Sequence, residues 1–150
     1  MRTLRLFLLI TMIFTQPVMA DGNIQISNAW INEAPPTVKM HAGYLTIQNL
    51  ADEDITLVSA QSPSFNNIEF HNTEVKDGIA SMSKQDTIII PAHTEFHFSP
   101  GANHLMLFNN TTPLNEGDKV TLELTFSSGE TIPVEAKVKR ADSSEQHHHH

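Results

Sequence analysis

The sequence contains no cysteine, and that absence removes whole classes of chemistry. It rules out a thiol nucleophile, a zinc finger, an iron–sulfur cluster and a blue-copper thiolate. No disulfide can brace the fold, so stability must come from core burial. Cationic charge is scarce as well, with nine Lys and Arg against seventeen Asp and Glu. Nucleic acids and anionic lipids both attract basic patches, so neither is an expected partner. The His-Glu-x-x-His zinc helix, the Gly-x-Ser-x-Gly elbow and a phosphate-binding glycine loop are missing too. An enzyme is therefore the weakest reading. Long apolar runs are also lacking. Leu6 to Phe14 is too short to span a bilayer, which needs about 20 apolar residues, and no second such run follows.

Arg2 and Arg5 precede that run, and Pro17 with Val18-Met19-Ala20 follows it. A charged start, a short apolar segment and a small residue at a cleavage point describe a secretory signal. Residues 1–20 are read as that signal, with a mature start at Asp21. A buried N-terminal strand or helix is the competing reading. With no cysteine after the run, a thioether lipid anchor is not expected. At the other end, residues 141–150 form a polar tail closing on His147 to His150. A terminal histidine run is usually an expression tag; a native metal-collecting tail is the alternative. Residues 21–140 remain as one domain. Discounting Arg2 and Arg5 leaves seven of the nine basic residues against seventeen acidic ones, a net charge of −10.

Short runs with period-two alternation recur along this domain, separated by Pro-, Gly- and Asn-rich turns, and no helix of ordinary length is apparent. Strands are expected at 24–31, 43–49, 55–61, 67–74, 79–83, 87–90, 94–98, 104–108, 119–126 and 131–139. In the ninth, Val120, Leu122, Leu124 and Phe126 alternate with Thr121, Glu123 and Thr125, which marks a strand with one face buried. Many short strands with regular turns predict an all-β sandwich or barrel.

The soft metal donors are few. Beyond the signal only Met40, Met82 and Met106 remain, and outside the tail the histidines are His41, His71, His93, His97 and His104. His104 and Met106, two apart on a strand, project to one face. Asp77-Gly78 between alternating runs predicts a two-residue type I′ hairpin. That register places His71 opposite Lys84 and Met82 opposite Thr73. His71 and Met82 then share a face as diagonal neighbours, about 7–8 Å apart in backbone. A three-residue loop would put one of them on the other face. Two imidazoles and two thioethers form a neutral, soft donor set that favours copper(I), and hard ions would find no oxygen ligands.

Met40 and His41 point to opposite faces of any strand, so at most one can join such a site. His93 and His97 read as surface residues, with a second copper(II) site as a further possibility. Trp30 and Tyr44 are expected in the core or the wall of the site.

The string His71, ten residues, Met82, twenty-one residues, His104, one residue, Met106 resembles the signature of the periplasmic PCu(A)C copper chaperones. Asn28-Ala29-Trp30-Ile31, Pro35-Pro36, residues 42–47 (Ala-Gly-Tyr-Leu-Thr-Ile), residues 104–107 (His-Leu-Met-Leu) and residues 113–118 (Pro-Leu-Asn-Glu-Gly-Asp) resemble it as well. The resemblance implies a cupredoxin-like Greek-key β-sandwich and metal ligands His71, Met82, His104 and Met106. It also implies a periplasmic carrier of Cu(I) for assembly of the cytochrome c oxidase CuA centre. Its partners would be a copper acceptor such as oxidase subunit II or a Sco-like thioredoxin-fold protein, and a monomer is expected. Periplasmic copper storage or resistance, and a metal-free interaction sandwich, are the competing functions.

Overall fold

The computed structural model describes residues 22–140. The expected signal, residues 1–20, and the polar tail, residues 141–150, lie outside the described residues.

Ten strands make up the described chain. They are β1 (Ile24–Asn32), β2 (Met40–Asn49), β3 (Ile55–Gln61), β4 (Phe65–Lys76), β5 (Ile79–Gln85), β6 (Ile88–Ile90), β7 (Glu95–Phe98), β8 (Asn103–Asn110), β9 (Lys119–Phe126) and β10 (Thr131–Lys139). No helix is present among the described residues, and so none that is long and apolar enough to cross a membrane. The strands hydrogen-bond in the order β5-β4-β8-β2-β1-β10-β9-β3-β6, with β7 on the C-terminal half of β2. All pairings are antiparallel except β1 with β10. Chain-distant strands thus lie side by side, and the fold is the all-β, cupredoxin-like Greek-key sandwich.

Alternation sets the core. Leu45 and Ile47 on β2, Leu105 and Leu107 on β8, Leu122 and Leu124 on β9 and Val138 on β10 are buried in one apolar cluster. Each carries its polar neighbours to the opposite face. Burying a Leu or Val side chain contributes about 1.5–3 kcal/mol, which suits a domain without disulfides.

Two local devices position the site. Asp77 (φ 53°) and Gly78 (φ 76°) both adopt positive φ, as a type I′ turn requires. Lys76 accordingly pairs with Ile79, and the hairpin register runs as the sequence predicts. In β1 the register shifts between Ser27 and Trp30, around Asn28 at φ 54°. One extra residue reverses the facing of everything beyond it. Trp30, which unbroken alternation would put with Ile24 and Ile26, instead pairs with Tyr44, their ring centroids 4.5 Å apart and the planes tilted by 39°.

Candidate metal centre

The pairing of β4 with β8 brings the two predicted imidazoles together. His71 and His104 are register partners, and their ring centroids lie 5.9 Å apart. Leu105 and Leu107 fill the core on one side of β8, so His104 and Met106 take the other. Met106 stands opposite Glu69 of β4 and Ala42 of β2. Met82 is opposite Thr73, and His71 is opposite Lys84. Paired residues share a face, so His71, Met82, His104 and Met106 all project from the same outer surface of three adjacent strands.

The four differ in exposure. His104 is buried and 7% accessible, whereas Met82, on the edge strand, is 54% accessible. Met106 is half-buried. Three of the donors therefore sit on the interior strands β4 and β8, and the fourth hangs from the sheet edge.

The hydrogen bonds select ring nitrogens. His104 Nδ1 lies 3.0 Å from the Ala102 carbonyl oxygen, which can only accept. Nδ1 therefore carries the proton and Nε2 holds the lone pair. His71 Nε2 lies 2.9 Å from Glu69 Oε2, while its Nδ1 is buried without a hydrogen-bond partner. Glu69 also accepts from Lys84 Nζ at 2.9 Å and Asn67 Nδ2 at 3.2 Å, both on Oε1. The His71 hydrogen bond, followed by that of Lys84, holds the Glu69 carboxyl down to about 2.

Glu69 corrects one expectation. The sequence predicts a site without oxygen donors, yet a carboxylate occupies the same face, directly opposite Met106. Its oxygens are engaged by His71, Lys84 and Asn67. The pattern Glu69-Phe70-His71 could have revealed it, since residues two apart on a strand share a face. Among the described residues no three His, Asp or Glu side chains gather as a metal-binding group.

The remaining candidates divide. Met40 opens β2, exposed and paired with Phe108, two residues along β8 from Met106, so it lies on the same outer face one step further out, while His41 is buried on the core side. His41 Nδ1 donates to the Asn32 carbonyl at 3.1 Å, and its ring meets Phe65 edge-on. His93 is exposed and within 2.9 Å of Asp52; His97 lies beside Glu95 and Thr46. These histidines do not converge. Trp30 and Tyr44, both half-buried, extend the outer face beyond β8.

Comparison with known proteins agrees with this architecture. The family model described as "Putative lipoprotein LpqE-like" matches residues 24–138. The "Putative lipoprotein Lxx21020" of Leifsonia xyli subsp. xyli is 34% identical over 121 residues, covering 80% of this chain and 71% of the relative. The uncharacterized protein RP573 of Rickettsia prowazekii is 28% identical over 126 residues, covering 79% and 68%. Among solved structures, the Cu(I) form of DR1885 from Deinococcus radiodurans is similar at 30% identity and TM-score 0.64, over 76% of each chain. The copper-bound PCuAC domain of PmoF2 shares the fold, with 21% identity and TM-score 0.68 over 79% of this chain and 94% of that one.

Proposed function

The chain belongs to the LpqE-like family, that of the PCu(A)C domains, and from that premise we propose that it is an exported copper(I) carrier with His71, Met82, His104 and Met106 as its ligands. The observation that carries the reading is the direct pairing of His71 with His104 across β4 and β8, with Met106 and Met82 on the same face. Two nitrogen and two thioether donors suit a soft monovalent ion and disfavour hard ones. The Cu(I)-bound relative DR1885 supports the choice of metal.

Neutral donors form no strong thiolate bond, so the ion can leave to a better set of ligands. Met82 on the exposed edge strand is the donor that an incoming partner can replace first. The protein binds and releases and makes no covalent bond. The periplasm is its compartment, and its acceptor is the CuA site of cytochrome c oxidase, reached directly or through a Sco-like protein.

Removing His147 to His150 eliminates competing imidazoles. Tail-free protein titrated with Cu(I) against a chromophoric chelator should take up one ion. Met106→Leu and His104→Ala should each weaken that uptake, and loaded protein should fill an apo CuA domain faster than free exchange allows. Unchanged affinity in both variants would reduce the domain to a metal-free interaction sandwich. Tight binding without accelerated transfer would make it a store.

A further inference from the structure

We propose that Glu69 is a positioning residue that fixes the tautomer of His71, so that copper(I) meets His71 through Nδ1 and His104 through Nε2. The inference rests on the four-ligand reading above and goes beyond it by assigning the binding atoms and the group that sets them.

An ionised carboxylate only accepts hydrogen bonds. With Oε2 of Glu69 at 2.9 Å from His71 Nε2, the ring proton sits on Nε2 and the lone pair on Nδ1. That Nδ1 is buried and has no hydrogen-bond partner. A buried polar atom is ordinarily satisfied, and a proton on Nδ1 would be just as unpaired. A nitrogen lone pair that no protein group engages is an atom available to a metal. Across the sheet the assignment is reversed: His104 Nδ1–H donates to the Ala102 carbonyl at 3.0 Å, which leaves the lone pair on Nε2. The partnered rings, 5.9 Å apart and tilted by 33°, thus each have one nitrogen tied to protein and one not engaged by it.

Glu69 is itself held in place. Lys84 and Asn67 occupy Oε1, so Oε2 is the oxygen turned to His71. Lys84 lies on β5, opposite His71, and through it the carboxylate spans from β4 to the strand that carries Met82. A carboxylate engaged in this way orients a ligand and raises its basicity without becoming a ligand itself.

The test uses tail-free protein labelled with ¹⁵N and read by long-range imidazole ¹⁵N–¹H correlation, since Cu(I) is diamagnetic. In the apo protein His71 should appear as the Nε2–H tautomer. On addition of Cu(I), its Nδ1 and the Nε2 of His104 should shift while His71 Nε2 keeps its proton. Glu69→Ala should mix the His71 tautomers and weaken Cu(I) binding about 10–100-fold, the range for removing a ligand's outer partner. Lys84→Met, which cuts the tie to β5 but leaves the carboxylate, should cost less.

An apo His71 protonated on Nδ1, or a loaded protein in which His71 Nε2 is the shifted nitrogen, overturns the assignment even if all four ligands stand. Wild-type protein that takes up no Cu(I) overturns the four-ligand reading instead, and the assignment with it. Should Glu69→Ala fail to fold, the wild-type spectra alone decide.

Discussion

His71 of β4 and His104 of β8 are register partners with their ring centroids 5.9 Å apart. Two methionines flank that pair on the outer face, Met106 beside it on β8 and Met82 one strand out on β5. His104 and Met82 differ in what their loss should do. His104→Ala should lower Cu(I) affinity by more than the ~10–100-fold typical of outer-shell substitutions, because a bound nitrogen is removed. Met82→Leu should weaken binding as well. Its 54% exposure should leave stability within about 0.5 kcal/mol of wild type. Chelator competition and chemical denaturation on the same samples check both.

Much of this was legible beforehand, for identifiable reasons. Strands β9 and β10 begin and end where alternation places them, since Val120, Leu122, Leu124 and Phe126 are buried while Glu123 and Thr121 face water. The start of β2 was not legible. Gly43 is the expected first residue, but pairing extends back to Met40. His41 holds a core position there and breaks the apolar pattern. Nor does periodicity reveal that β4 pairs with β8. No local signal joins residues so far apart, and only the family-like spacing of His71, Met82, His104 and Met106 pointed there. The Glu69 network was missed because Glu69, Lys84 and Asn67 each look like ordinary polar surface residues.

Gly43 governs how closely β2 approaches β8. A Cβ on it would stand 2.9 Å from Leu107 Cδ1 and 3.4 Å from Leu105 Cβ, and both leucines are fully buried. Gly43→Ala should therefore destabilise by about 1–3 kcal/mol through overpacking. Its neighbour Ala42 faces Met106, so the folded variant should also bind Cu(I) more weakly as β8 is displaced. Urea denaturation with chelator competition would show both effects. A variant as stable as wild type would mean that the leucines have slack to give.

A pH-dependent tie joins the residue after β1 to the residue after β10. Glu33 Oε2 accepts from Arg140 Nε at 2.9 Å. That hydrogen bond, with help from the Glu116 backbone, lowers the Glu33 carboxyl below its ordinary 4.5. A carboxyl lowered in the folded state stabilises fully above its unfolded value, and the contribution fades as pH falls through the folded one. Glu33→Gln should therefore be less stable than wild type at neutral pH. The difference should shrink as pH drops below about 4.5. Thermal melts of the two proteins that stay parallel from pH 7 to pH 3 would contradict the tie.

The hairpin turn offers the sharpest test of how the site is built. Met82 shares a face with His71 only because Asp77 and Gly78 make a two-residue connection that pairs Lys76 with Ile79. Side chains alternate with period two, so one added residue sends a whole strand's worth of side chains to the other face. Inserting a single glycine between Asp77 and Gly78 should turn Met82 away from His71 while leaving β4, β8 and the core untouched. β5 is an edge strand whose residues are nearly all exposed, so the insertion should have little effect on stability. Cu(I) affinity should then fall to the level of Met82→Leu, and adding Met82→Leu to the insertion should cost nothing further. Inserting two glycines restores the parity and should recover part of the affinity, whereas a donor reaching copper from a flexible tip would respond to neither length.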